Sequence, residues 1–157
     1  MLIKLLGSED RIPYNLLLID DETVETIDRY LSKSQVYVIS YGTIENAGIC
    51  FLCEVDSQTA EVKFFAIHHS LQNQGIEKTF IHEIKKIAAV KYKVLTVGVA
   101  DHGYRQMSFY KENGFTPRAV RKDFYIINYP EVIYENDVQL RDMIILGYDL
   151  KKNRQIT

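Results

Sequence analysis

The stretch that most constrains this chain is Ala60 to Val90, AEVKFFAIHHSLQNQGIEKTFIHEIKKIAAV. Glu61 to Ile67 is rich in apolar and aromatic residues and predicts a buried strand. His68 to Gln74 is polar and has no period, so it reads as a loop. From Ile76, apolar residues recur at three- and four-residue steps (Phe80, Ile84, Ile87, Ala88), while Glu77, Lys78, His82, Glu83, Lys85 and Lys86 fill the other face. That is a helix with one apolar stripe laid against a sheet. Val94 to Val99 is a second, mostly apolar run. A strand–helix–strand unit places it parallel to the first strand through a right-handed crossover.

A strand that feeds a helix through a polar loop has a chemical use. The first turn of the helix carries backbone N–H groups without intrahelical partners, and the macrodipole adds partial positive charge there. Such a loop can hold a phosphate or pyrophosphate. Gly75 suits it, because a residue without Cβ lets the backbone approach an anion closely. On spacing alone, Gly75 reads equally well as a glycine that simply starts a helix.

The remaining elements follow in order. Met1 to Leu6 reads as a first strand, and Gly7 to Asp10 as a turn. Pro13 to Leu18 suits a short helix, with Pro13 in its first turn. Asp20 or Asp21 can cap a following helix that carries Val24, Ile27 and Leu31 on one face. Gln35 to Tyr41, Ile49 to Val55 and Thr59 to Ile67 form an antiparallel meander, with Gly42 to Gly48 as a connection and Asp56 to Gln58 as a turn. Gln106 to Asn113 reads as a short helix stopped at Asn113-Gly114. A strand starts at Phe115. Phe124 to Glu135 reads as an insertion, since Pro130 argues against a central strand there. The last strand is expected at about Gln139 to Tyr148.

At 157 residues the chain is of one-domain size, expected to run as a single unit over 1–157. With 46% hydrophobic and 25% charged residues, it has the composition of an ordinary soluble globular protein. A net charge of −2 argues against a nucleic-acid binder. No apolar run is long enough for a membrane span, and the apolar run in MLIKLLGSEDR is too short for a signal peptide. A cytoplasmic protein is expected. Cys50-Phe51-Leu52-Cys53 is a C-x-x-C, yet it lies in a strand, where residues three apart face opposite ways. No further ligands stand at metal-site spacing, so both cysteines read as packed, reduced thiols and no metal is expected.

Two motifs carry a family resemblance. Gln72-Asn73-Gln74-Gly75-Ile76-Glu77 resembles the Q/R-x-x-G-x-G/A loop of the GNAT superfamily of acyl-CoA-dependent N-acetyltransferases. Ser108-Phe109-Tyr110-Lys111-Glu112-Asn113-Gly114-Phe115 is similar to that family's second signature, a short helix ending F-Y-x-x-x-G-F. The strand Val94 to Val99 lies between them, and the resemblance runs from about Val36 to Leu150. It implies an α+β fold (α/β by some schemes): a mixed, mostly antiparallel central sheet with two splayed parallel strands, flanked by helices. Asn128 to Asn136, followed by Arg141-Asp142-Met143, resembles the tail of a Gram-positive branch linked to aminoglycoside or amine acetylation.

The resemblance implies acetyl-CoA as co-substrate and transfer of its acetyl group to a primary amine by direct attack in a ternary complex. The acceptor would be a small-molecule or protein amine, with a homodimer possible. The pantetheine arm would lie between the splayed strands, bonded to backbone at Phe65, Ala66 and Ile67, and Gly98 would either leave room there or mark a bulge. Gln72, Asn73, Gln74, Gly75, Ile76, Glu77 and Lys78 would hold the pyrophosphate. Tyr110 matches the family tyrosine near the coenzyme sulfur, where a phenol can protonate the departing thiolate. Glu61 aligns with the catalytic glutamate of histone-type members and is the candidate base, with His68 and His69 as alternatives of more suitable pKa. Asp101 and His102 follow the second parallel strand and can bond the pantetheine or the acceptor.

The pattern has departures. Glu77 stands where the family has Gly or Ala. A carboxylate roughly 6 Å from the pyrophosphate costs about 1–3 kcal/mol at effective dielectrics of roughly 20–60. Asn73 and Gln106 also replace smaller or more basic residues, with Lys78 and Lys111 as partial compensation. An alternative therefore stays open: a GNAT domain without turnover, acting as an acyl-CoA sensor or partner-binding module. The acids Glu131, Glu135, Asp137 and Asp142 would attract a cationic acceptor.

Overall fold

The parallel strand pair anticipated around the long helix organises the computed structural model. The structure describes residues 1–7, 9–13, 16 and 24–151, without the side chains of residues 24–26 and 30. Most of the expected short helix at 13–18, all but Pro13 and Leu16, and the cap at Asp20 or Asp21 lie outside the described residues. Among the described residues seven strands form one sheet: β1 (Leu2–Leu5), β2 (Ser34–Tyr41), β3 (Ile44–Glu54), β4 (Thr59–Ile67), β5 (Val94–Ala100), β6 (Thr116–Arg121) and β9 (Met143–Asp149), in the order β1-β2-β3-β4-β5-β9-β6. All neighbours are antiparallel except β4 and β5. Among the elements whose bounds are described, the helices are α1 (Val24–Leu31), α2 (Ile76–Ala89), α3 (Tyr104–Glu112) and α4 (Phe124–Ile127). A separate two-stranded ribbon, β7 (Tyr134–Glu135) with β8 (Val138–Gln139), closes the insertion.

The core lies on both faces of the sheet. On one face the stripe of α2 (Phe80, Ile81, Ile84, Ala88) packs with Leu52, Val62, Leu95, Val97 and Leu146. Tyr110 and Phe115 join the same cluster. On the other face Ile27 of α1 and Leu16 cover Val36, Val38, Ile49, Phe51 and Phe64. The alternation of β3 explains its cysteines: Cys50 is fully buried in the first cluster and Cys53 is half-buried, both as free thiols. Burial pushes the Cys50 thiol far above its ordinary value, so it stays protonated.

Two boundaries differ from the sequence expectation. The connection expected over Gly42 to Gly48 is a tight turn, for Tyr41 already faces Ile44 and β3 begins at Ile44. The positive φ of 59° at Gly42 makes that turn possible. The last strand begins at Met143 rather than near Gln139, because Val138–Gln139 pairs back on Tyr134–Glu135 through a two-residue turn. Asn136 and Asp137 supply that turn at φ 53° and 62°, a conformation these residue types tolerate.

Candidate active site

The parallel ladder between β4 and β5 is short. It runs from Thr59 opposite Val94 to Val62 opposite Val97 and goes no further. Beyond that point Phe64–Ile67 remains paired with β3 on one side, and Gly98–Ala100 with β9 on the other. The two strands part, and their facing edges have no strand neighbour. The parting coincides with an irregularity: Val62 faces Leu52 and Phe64 faces Phe51, which leaves Lys63 as the extra residue of a bulge.

A cleft of about 820 Å³ opens at the parting. Its inner wall is β4 from Val62 to Phe65 and β5 from Val97 to Ala100, with Gln106 and Tyr110 contributed by α3. Tyr110 is only 6% exposed. Its ring meets Phe115 edge-on at 5.3 Å and Phe65 at 6.5 Å between centroids, so packing and cleft lining are joint properties of one side chain. Gly98 also lines the cleft, and the reason for its missing Cβ is local. A Cβ there would stand 2.4 Å from the thioether sulfur of Met143, the residue that opens β9.

Glu61 sits just before the parting. It is the buried charged side chain among the described residues, at 5% exposure. Its carboxylate takes the Lys63 ammonium at 2.6 Å and the Arg121 guanidinium at 3.9 Å. Lys63 lines the cleft and Glu61 does not. Asp101 follows the end of β5, as expected. Its carboxylate accepts the backbone N–H groups of Arg141 at 3.4 Å and Asp142 at 3.2 Å, which ties the end of β5 to the start of β9. His102 neighbours it, bonding the Tyr104 hydroxyl at 2.8 Å. Neither lines the cleft.

The loop between β4 and α2 holds one 3-10 turn, His69–Leu71, which the Nδ1 of His68 caps by accepting from Ser70 N–H. The Gln72 and Gln74 amides donate to the carbonyls of Ile67 and Ser70, drawing the loop over the end of β4. Asn73 and Gly75 both take positive φ, 65° and 79°. That accounts for Asn at a position where glycine would serve: after glycine, Asn is among the residues that best tolerate this region. A Cβ on Gly75 would meet nothing within 4 Å, so the space above the start of α2 is open. A second, smaller hollow of about 230 Å³ lies there, lined by Asn73, Gly75, Glu77, Lys78 and the end of α3. Glu77 and Lys78 thus share one hollow.

Of the outer wall of the main cleft, the sequence pointed to Glu131 and Glu135 but not to the tyrosines beside them. Tyr125, Tyr129, Glu131, Ile133, Tyr134 and Glu135 of the insertion line it, with Leu140 beneath. Tyr125 and Tyr129 stack at 5.6 Å and 23°. The Asn136 amide donates to the His102 carbonyl at 3.1 Å, anchoring the ribbon to the β5–α3 connection. Asp142 accepts the Asp123 N–H at 2.9 Å and so fixes the base of the insertion. Among the described residues no group of His, Cys, Asp and Glu is placed to hold a metal, and no helix is long and apolar enough to cross a membrane.

No family model matches the chain. The uncharacterized N-acetyltransferase YvbK of Bacillus subtilis is 33% identical over 138 residues, 87% of this chain and 88% of that protein. Among solved structures, a GNAT family acetyltransferase from Elizabethkingia anophelis with acetyl-CoA bound has a TM-score of 0.89 at 35% identity, covering 94% of this chain and 97% of that one. A Bacillus subtilis acetyltransferase in complex with CoA has a TM-score of 0.83 at 31% identity, covering 94% and 97%.

Proposed function

The chain belongs to the GNAT superfamily of N-acetyltransferases, and on that premise we propose that it moves the acetyl group of acetyl-CoA onto a primary amine, by direct attack within a ternary complex. The observation that carries the reading is the parting of β4 and β5 after Val62 and Val97, over a cleft that Tyr110 lines. Relatives at about a third identity are named acetyltransferases, and two such structures hold acetyl-CoA or CoA. These names favour turnover over the alternative of a domain without it, which rested on Glu77.

The residues fit the coenzyme in two places. The edge of β4 at Phe65, Ala66 and Ile67 has no strand neighbour and offers backbone groups to the amides of a pantetheine arm. The open space over Gly75, the first turn of α2 from Ile76 to Lys78 and the Lys78 ammonium suit a pyrophosphate, with Gln72, Asn73 and Gln74 shaping the loop. Asp101 is left out of this set, since its carboxylate is taken up by two backbone N–H groups.

Acetyl-CoA supplies an activated acyl group. In the transfer the new C–N bond forms as the C–S bond breaks, the amine nitrogen loses one proton and the departing sulfur gains one. Tyr110 provides the proton for the sulfur. Glu61 receives the proton of the amine by way of water, because its carboxylate lies behind Lys63 rather than on the cleft wall. A buried carboxylate is costly to keep without a task. Backbone N–H groups on the free edge of β4 face developing negative charge on the carbonyl oxygen.

Calorimetric titration of acetyl-CoA, with CoA for comparison, followed by thiol release with a panel of amines, tests the reading. Micromolar binding and amine-dependent thiol release are expected. Absence of binding at millimolar coenzyme, or binding without release for any amine, would overturn it.

A further inference from the structure

Resting on that reading, a chain of hydrogen bonds behind the cleft bears on how the acceptor is held. The inner wall ends at Ala100, and the outer wall belongs to a segment that leaves the sheet after Arg121 and rejoins it at Met143. Asp101, the residue after Ala100, ties the two together from behind. Its Oδ1 accepts the Arg141 N–H at 3.4 Å and its Oδ2 the Asp142 N–H at 3.2 Å. Its own N–H donates to the Asp142 carbonyl at 2.9 Å. Asp142 passes the constraint on, for its carboxylate accepts the Asp123 N–H at 2.9 Å. The Arg141 carbonyl accepts the Tyr125 N–H at 3.0 Å, and Tyr125 stands on the outer wall.

Asp101, Asp123, Arg141 and Asp142 do not line the cleft, so they act on its shape and not on a bound molecule. Asp123 enters α4 at φ 55°, a conformation that holds best when its surroundings fix it. Bonds from backbone N–H to a carboxylate are charge-assisted and stronger than neutral ones. The two acids meet different demands. Asp101 serves two N–H groups with two oxygens, whereas Asp142 serves the Asp123 N–H with one. A side-chain amide has a single accepting oxygen, so it can replace Asp142 but only half of Asp101.

We propose that Asp101 and Asp142 are positioning residues for the acceptor. In series they fix Tyr125 and the outer wall against the end of β5, and so set the width of the cleft where the amine enters. The coenzyme half is held by other means: Phe65, Ala66 and Ile67 are paired with β3, and Gln72 and Gln74 tie the loop before Gly75. The clasp therefore governs acceptor affinity and leaves coenzyme affinity alone. It adds no step to the transfer given above.

The test uses the full chain, acetyl-CoA and two probe acceptors: benzylamine, which carries a ring to lay against the outer wall, and hydroxylamine, which has none. Asp101→Ala and Asp142→Ala should each lower the ratio of kcat/KM for benzylamine to that for hydroxylamine at least about tenfold, through KM. The Kd of acetyl-CoA should stay within about twofold of the parent. Asp142→Asn should restore the parent ratio, and Asp101→Asn only part of it. A role through charge alone would make each Asn variant equal to its Ala counterpart. A general loss of stability would move the coenzyme Kd and both acceptors together. Either outcome, or an unchanged ratio, overturns the proposal and leaves amine acetylation standing. Amide hydrogen exchange reads the wall without turnover, so it decides even if neither acceptor releases thiol, a result that would fault acetyl transfer and not the clasp. Exchange accelerated at least about tenfold over residues 123–140 in Asp142→Ala, reversed in Asp142→Asn and unchanged in α2, supports the clasp. Uniform acceleration, or none, overturns it.

Discussion

Lys63 Nζ stands 2.6 Å from Glu61 Oε2, so the cation on the inner wall of the cleft and the buried carboxylate behind it form one unit. Arg121 reaches the same carboxylate from β6 at 3.9 Å. Lys63→Met leaves Glu61 with Arg121 alone and should lower unfolding free energy by about 1–3 kcal/mol, read as a shift in the urea midpoint. Glu61→Gln should lower kcat/KM by about 10²-fold or more. A kcat/KM within about twofold of the parent would place the base elsewhere.

Tyr110 combines packing with chemistry in one ring, and substitution can separate them. Tyr110→Phe keeps the edge-on contact with Phe115 and the place beside Phe65. Thermal stability should change by less than about 1 kcal/mol, as for a volume-conserving change. Loss of the phenol proton should cost about 10²-fold or more in kcat, with the affinity for acetyl-CoA unchanged. A kcat within about twofold of the parent would assign protonation of the sulfur to solvent.

Glu77 and Lys78 share the hollow at the start of α2. Glu77→Ala removes the negative charge from that hollow and keeps a good helix former. Acetyl-CoA affinity should rise about tenfold at low salt and the gain should shrink at high salt. An unchanged Kd in calorimetry would mean that the Glu77 carboxylate stays away from the phosphates. Without coenzyme, the same substitution should slightly lower stability, since a carboxylate favours a helix N-terminus.

Lys85 lies two turns further along α2, on the same side as Lys78. Its ammonium donates to the Asn113 carbonyl and lies 3.9 Å from the Tyr148 ring centroid, and burial lowers it from 10.5 to about 8. Because the folded value lies below the unfolded one, this group contributes stability above the unfolded value and loses it as pH falls through about 8. Stability should therefore rise from about pH 8 toward pH 10. Burial raises the neighbouring Tyr148 phenol, whose opposing contribution starts above 10. Lys85→Met should flatten the rise in denaturation midpoints over that window, and a rise that persists would place its source in another group.

Much of this architecture was legible because it is written in local periods. The apolar stripe from Ile76 to Ala88 and the run Val94 to Val99 each reflect burial on a single face, and two motifs fixed their order. The aromatic part of the outer cleft wall was not legible. Tyr125 and Tyr129 come from a segment with no period, and they are turned inward by contacts distant in sequence, Asn136 to His102 and Asp123 to Asp142. One local signal was present: Glu135-Asn136-Asp137-Val138 places two residues that tolerate positive φ between extended neighbours. Asp101 lies after the second parallel strand as expected, while the backbone groups that occupy its carboxylate come from the start of β9, a return to the end of β5 that sequence alone does not show.

The strand order carries a consequence for biogenesis. β9, the last strand of the sheet in sequence, lies between β5 and β6, and β6 touches the sheet through β9 alone. During synthesis domains form from the N-terminal side, so β1 to β5 can assemble while β5 still shows a bare edge and β6 waits without a neighbour. An unpaired edge invites pairing with other chains. Chains stalled before Met143 should thus be the aggregation-prone species on the ribosome, and Met143–Asp149 acts as the keystone that ends this exposure.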